Sequence, residues 1–333
     1  MKAIVLNRNL ADKVELTDLV LPPLKYNEVK VALKAAALNR RDEWCRQGLY
    51  PNLKDGVVLG SDGAGVVSQI GKGVSADWLG KEVIINPAFS WGPLEYAKAN
   101  EFGILGMPDH GTMAEAVQVP ADRLHPKPSH LSWEEAASLP LAGLTAYRAL
   151  FVQGQLREGE NVLVTGIGGG VSQFVAQFAQ IAGAKVYANS SNIAKISKAT
   201  QLGVLRGFDY TDPDWVAQAL DATGGFDLIV DSAMGDTLAT LIDLAKPSGR
   251  IVLYGATRGN PGGFNARKVY WNQLTIKGST MGSDSNFTEM LEFVNRTKIA
   301  PVIDSIFDLE EAVEGFERMK AGHQMGKIVI RIS

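Results

Sequence analysis

Between Asn161 and Ala188 the chain runs strand, glycine turn, helix, strand, an order that few folds accommodate. Asn161-Val162-Leu163-Val164-Thr165 is a short apolar run, and glycines follow at 166, 168, 169 and 170. Val171, Phe174, Val175, Phe178, Ala179 and Ala182 then recur at the spacing of one buried helix face, which Gly183 closes. Lys185-Val186-Tyr187-Ala188 is the next strand, and Ile193 to Leu202 the next helix. Asp227 to Asp231 and Arg250 to Gly255 continue the series. Apolar strands that do not alternate, separated by helices, require a parallel sheet covered on both faces. This part of the chain is expected to be a doubly wound α/β sheet.

A glycine turn between strand and helix brings bare backbone against a pyrophosphate. The helix N-terminus adds unpaired N–H groups and a partial positive charge. Gly168, Gly169, Gly170 and Val171 are therefore the candidate phosphate cradle. Val171 stands where a third glycine usually lets helix and strand pack closely, so either the helix sits farther out or the register is displaced. An ordinary tight turn is the alternative. The flanking strands and the periodic helix weigh against it.

NAD enzymes of this kind place an acid at the end of the second strand to hold the ribose 2′-hydroxyl. Here that strand ends Tyr187-Ala188-Asn189-Ser190-Ser191-Asn192, without a carboxylate. Ser190 and Ser191 offer hydroxyls and Lys195 a charge, a set suited to a 2′-phosphate. NADPH is the expected cofactor, although a solvated helix lysine is the plainer reading of Lys195. The carboxyl ends of the remaining strands nominate Ser232, Ala233, Gly255 and Ala256, with Tyr210 near the adenosine. Thr280 and Met281 are candidates for contact with the nicotinamide.

The first stretch is different. Glu28 to Lys34 alternates polar and apolar, and glycines recur at 60, 63, 65, 71 and 73 between Val-rich runs, the pattern of a compact strand-and-turn domain. A chain of 333 residues suits two domains. Its formal net charge of −3 argues against a polyanion as the main partner. No apolar run approaches the roughly 18 residues of a membrane helix. Cys45 is the only cysteine, so no internal disulfide exists and a reducing compartment, the cytoplasm, is expected.

Ala37-Leu38-Asn39-Arg40-Arg41-Asp42-Glu43-Trp44-Cys45-Arg46-Gln47-Gly48-Leu49-Tyr50-Pro51 resembles the Asn-x-x-Asp-x-x-x-Arg-x-Gly-x-Tyr-Pro signature of zinc-independent quinone oxidoreductases. These belong to the medium-chain dehydrogenase/reductase superfamily. Leu59 to Val67, Leu139 to Tyr147 and Gly326 to Val329 are similar to further elements of that superfamily, so the resemblance spans the chain. It implies a GroES-like β-rich catalytic domain over 1–122 and 271–333, a Rossmann NADP(H)-binding domain over 123–270, and an active site in the cleft between them. It also places Asn39, Ser61 and Leu141 where zinc enzymes carry Cys, His and Cys. The implied metal set is therefore none, and the four histidines are too scattered to replace it.

By the same resemblance Asn39 would hold the ribose or the substrate oxygen, and Tyr50 would donate a hydrogen bond or proton. Thr145 would touch the cofactor. Asp42 and Arg46 read as a structural pair, and Phe89, Trp91 and Phe102 as a roof for the substrate or as ordinary packing. Without a Lewis acid, hydride transfer to a quinone or an α,β-unsaturated carbonyl is the easiest chemistry. A metal-free alcohol or carbonyl oxidoreductase and an NADPH-binding protein without turnover are the alternatives. Leu274-Thr275-Ile276-Lys277-Gly278 is the candidate edge strand for a homodimer, with a tetramer left open.

Overall fold

A computed structural model describes residues 1–332. The chain packs as two compact units, Met1–Ala142 together with the segment from Gly282 onward, and Gly143–Met281. Both crossings fall later than the sequence reading placed them, at 142/143 rather than 122/123 and at 281/282 rather than 270/271. The reason is packing. The Trp133–Ser138 helix lies on the Glu28–Ala37 and Asp62–Ile70 strands of the first unit, while Thr275–Gly278 joins the sheet of the second.

In the first unit, Glu28–Ala37 is the central strand. It pairs antiparallel with Asp62–Ile70, with Ala116–Pro120 and with Lys327–Arg331. Its alternation holds for eight residues, through Ala35, and then stops, because Ala36 and Ala37 are buried as well. Val29, Val31, Leu33, Val67, Val83, Ile328 and Ile330 form the core between these strands. The Arg40–Gln47 helix follows the central strand directly, with Asn39 as its extended N-cap (φ −122°, ψ 156°) and Gly48 closing it at φ 82°. That junction fixes where the side chains of residues 39 to 46 point.

In the second unit, six strands form one wholly parallel sheet. Their order is Arg206–Asp209, Lys185–Ser190, Asn161–Val164, Phe226–Asp231, Ala245–Leu253, Thr275–Gly278. Succession runs outward in both directions from Asn161–Val164, so the order reverses there. This is the Rossmann arrangement, and the crevice at the reversal is where such sheets bind ligands. Leu163, Phe208, Phe226, Ile229, Leu241 and Ile251 fill the core on one face. Among the described residues, no helix is long and apolar enough to cross a membrane.

Candidate active site

The glycine turn lies directly at the reversal. Gly166 takes a left-handed conformation (φ 59°), and the Gly170–Ile181 helix starts at Gly170 with Gly169 as its N-cap. No side chain caps that helix, so its first N–H groups are left for a ligand. The turn is held from beneath. Asn189 Oδ1 accepts from the Gly166 N–H at 2.9 Å, and Ser172 Oγ donates to the carbonyls of Gly166 and Gly169, each at 2.8 Å. Gln173 donates to the Ile167 carbonyl. Bare backbone, an uncapped helix start and a pre-set loop suit a dinucleotide pyrophosphate.

The register is displaced by one from the sequence reading. Val171 is half-buried, whereas Ser172 is wholly buried and meets the loop backbone. Ser172 is thus the residue of the helix that packs against the backbone of the glycine turn. Its small hydroxyl side chain fits because it satisfies two carbonyls there.

Most of the other nucleotide candidates of this unit sit at or just beyond the carboxyl ends of the strands. Ser190 ends Lys185–Ser190, and its hydroxyl accepts from the Asn192 N–H at 3.1 Å. Tyr210 donates to Ser191 Oγ at 3.1 Å, and Lys195 stands in the first turn of the Ile193–Gln201 helix. Asp231, fully buried, accepts from Thr165 Oγ1 at 2.6 Å and from the Met234 N–H at 2.8 Å. That carboxylate ties the end of Asn161–Val164 to the end of Phe226–Asp231. Ser232 and Ala233 accept from the N–H groups of Thr257 and Arg258, which zips their loop to the one containing Gly255 and Ala256. A Cβ on Gly255 would stand 3.1 Å from the Ser232 carbonyl. Thr145 donates to the Met281 sulfur at 3.8 Å, bringing two candidates together, while Thr280 is exposed.

In the first unit, Asn39 stands in a buried polar cluster. Lys327 Nζ donates to Asn39 Oδ1 at 2.7 Å, to the Leu38 carbonyl at 2.9 Å and to Asp62 Oδ2 at 3.0 Å. Asn39 Nδ2 donates to the same Asp62 oxygen at 2.9 Å, and the Leu141 N–H reaches the other at 2.8 Å. The Lys327 side chain is 3% exposed and that of Asp62 0%. Gly326 (φ 113°) places the lysine, since a Cβ there would meet the Val302 carbonyl at 2.2 Å.

Arg41 forms the adjoining half. Its Nη1 donates to Ser61 Oγ at 2.5 Å and to the Leu105 carbonyl at 2.7 Å, and its Nε to Tyr50 Oη at 3.3 Å. Asp42 Oδ1 lies 3.6 Å from Nη1. Burial works against the Arg41 charge, but Asp42 and Tyr50 outweigh it and its pKa lies above the ordinary value.

The expected Asp42–Arg46 pair does not form. Asp42 turns back to the Asn39 N–H at 2.8 Å as the third residue of a capping box, which takes its carboxylate away from Arg46. Arg46 instead pairs with Glu43 and Glu317, each at 2.7 Å. Trp91 and Phe102 pack edge to face at 5.3 Å, with Trp91 donating to the Leu94 carbonyl at 3.0 Å. Lys327 and Arg41 escaped the sequence reading, because a lysine opening an apolar strand and an arginine on a short helix ordinarily point to water.

A zinc ion does not fit these residues. Leu141 offers no donor atom, Ser61 Oγ accepts from a guanidinium, and Asn39 Oδ1 and Asp62 Oδ2 both face an ammonium. Among the described residues, no three His, Cys, Asp or Glu side chains gather elsewhere. His110 Nδ1 accepts from the Val58 N–H at 3.1 Å, and His130 Nε2 lies 3.1 Å from the Ile299 carbonyl, both structural contacts.

Residues 25–129 match the family described as alcohol dehydrogenase GroES-like domain, and residues 170–296 the family described as zinc-binding dehydrogenase. The chain is 37% identical to the zinc-type alcohol dehydrogenase-like protein YogA of Leptosphaeria maculans, over 92% of this chain and 91% of that one. It is 38% identical to a solved NAD-dependent alcohol dehydrogenase, with a TM-score of 0.94 and 100% of both chains covered. The 2-octenoyl-CoA carboxylase reductase CinF, solved with NADP and 2-octenoyl-CoA, is 25% identical with a TM-score of 0.89, over 99% of this chain and 87% of that one. Glycine turn, parallel sheet and relatives agree: the chain is an oxidoreductase of the medium-chain dehydrogenase/reductase superfamily.

Proposed function

We propose that this protein is a cytoplasmic, metal-independent, NADPH-dependent reductase of quinones or α,β-unsaturated carbonyls, of the quinone oxidoreductase-like branch. The observation that carries the reading is the Lys327 ammonium, bound by Asn39, Asp62 and the Leu38 carbonyl where relatives of the zinc type would need ligands. With no Lewis acid to polarise an alcohol oxygen, an acceptor that is already electron-poor is the favoured substrate. The end of the Lys185–Ser190 strand, with Ser190, Ser191 and Lys195 and no carboxylate, supports the phosphorylated nucleotide.

Bound NADPH supplies the hydride. Gly168, Gly169, Gly170 and Val171 cradle the pyrophosphate on backbone N–H groups, and Ser172 and Gln173 keep that loop in shape. Ser232, Ala233, Gly255 and Ala256 line the crevice further along, and Thr145 and Met281 stand together at its end. Asn39 retains one amide hydrogen and Tyr50 its phenolic proton for a substrate or ribose oxygen.

A second reading is a metal-free alcohol or carbonyl oxidoreductase using NAD, which the 38% identity to an NAD-dependent alcohol dehydrogenase favours. Turnover separates the two. The protein is mixed with NADPH or NADH and a panel of quinones, enones, ketones and alcohols, and nicotinamide absorbance is followed. Acceptor-dependent NADPH oxidation with quinones or enones supports the proposal. Turnover confined to NAD⁺ and alcohols overturns it, and tight NADPH binding without turnover identifies a binding protein.

Thr275–Gly278 is the edge of the parallel sheet, and Tyr270 and Trp271 on the preceding helix are 66% and 77% exposed. An exposed edge beside exposed aromatics supports a homodimer, or a tetramer built from two such pairs. Light scattering distinguishes these from a monomer.

A further inference from the structure

We propose that Arg41 receives the oxyanion that develops on the acceptor, a hydroquinone mono-anion, phenolate or enolate. This rests on the reductase reading above for the reaction, but not for the binding. Three observations point to it.

The Arg41 Nη2 atom is buried and has no hydrogen-bond partner, although the residue is only 5% exposed and Nη1 and Nε are both engaged. A buried guanidinium donor left unmade is costly, and such groups persist where a ligand completes them. Lys327 cannot serve instead, because its ammonium already has three acceptors. Arg41 is also held rigidly. Ser61 and Leu105 fix Nη1 on one side and Tyr50 lies with its ring centroid 4.6 Å from the guanidinium carbon on another. Tyr50 is partly exposed and belongs to a loop with the exposed Leu49, which marks the side nearest solvent.

The charges of the cluster cancel, but they are not equally well paired, and Arg41 is the loosely held cation. Arg41 and Lys327 bring two positive charges, and Asp42 and Asp62 face them. Asp62 spends one oxygen on Lys327 and Asn39 and the other on the Leu141 N–H, whereas Asp42 reaches Arg41 only at 3.6 Å. Hydride addition to the β-carbon of an enone forms a C–H bond, and the C=C pair moves so that the carbonyl oxygen becomes an enolate. The acceptor gains two electrons, and a proton from water completes the reduction. A fixed guanidinium N–H that meets that oxygen would stabilise charge that appears only as the hydride arrives.

The probe is 4-nitrophenol, whose ionised form is coloured and mimics a hydroquinone mono-anion. Titrated with the wild-type protein, its apparent pKa should fall by about one unit or more as the phenolate is held. Arg41→Met should abolish that shift, and Arg41→Lys should keep part of it. NADPH affinity should stay unchanged in both variants. Acceptor kcat/KM should fall about 100-fold in Arg41→Met, with partial rescue by added guanidinium ion. No phenolate shift in the wild type, or an equal shift in both variants, overturns the inference even if Arg41→Met fails to fold. A shift lost in the variants while the wild type reduces no quinone or enone leaves Arg41 as an anion site and overturns the proposed function instead.

Discussion

Lys327 and Asp62 stand 3.0 Å apart with 3% and 0% of their side chains exposed, so each is the other's counter-charge inside the first unit. Removing one partner of such a pair leaves a buried charge uncompensated, at a cost of about 3–5 kcal/mol. Lys327→Met should therefore lower the unfolding free energy by that amount in denaturant titrations. Asp62→Asn combined with Lys327→Met should recover much of it. Equal losses in the single and double variants would show that the pair is not coupled.

Ser172 secures the phosphate loop by donating to two of its carbonyls. Ser172→Ala should cost about 1–2 kcal/mol of stability and weaken nucleotide binding with no change in acceptor preference. Ser172→Val should be worse, because a wholly buried site cannot accept the added methyl groups without strain. Isothermal titration with NADPH reads the first effect and thermal melting the second.

Lys195 is the charge nearest in sequence to Ser190 and Ser191 on the strand end read as the 2′-phosphate site. Lys195→Ala should raise the NADPH Michaelis constant by roughly tenfold, the loss of one charge-assisted hydrogen bond. The value for NADH should not move. Parallel changes for both nucleotides would remove Lys195 from the phosphate site.

Asp42 carries a pH signature. Burial pushes its carboxyl up to about 6 against the pull of Arg41, the Asn39 N–H and Lys327, with Asp62 adding to the rise. Burial, with the same carboxylate adding to it, raises the Cys45 thiol to about 12, so it stays protonated throughout. In the unfolded chain Asp42 ionises near its ordinary 3.8. The folded protein therefore holds the proton longer, and the stability this group contributes is full below about pH 4 and lost as the pH rises through 6. Asp42→Asn escapes that loss, so the difference in unfolding free energy, variant minus wild type, should be more favourable at pH 8 than at pH 4. A pH-independent difference would contradict the raised carboxyl.

Extended dialysis against a chelator should leave turnover unchanged, and elemental analysis should find far less than one zinc per chain. Activity that falls with chelator and returns with zinc would overturn the metal-independent reading.

Much of this protein was legible in order and spacing. The Val171–Ala182 periodicity, the glycines before it and the apolar run of Phe226 to Asp231 dictate a parallel sheet with a phosphate loop, since local sequence sets strand, turn and helix there. Tertiary structure alone decided what fills the space beside Asn39. Lys327 and Asp62 are 265 residues apart in the chain, and Arg41 meets Leu105 across 64. No local pattern distinguishes a lysine that snorkels to water from one that is buried, because the difference lies in which strand the fold lays alongside. Ser172 teaches the same lesson over a shorter distance: the sequence located the crowded turn, and only packing showed which residue of the helix meets its backbone.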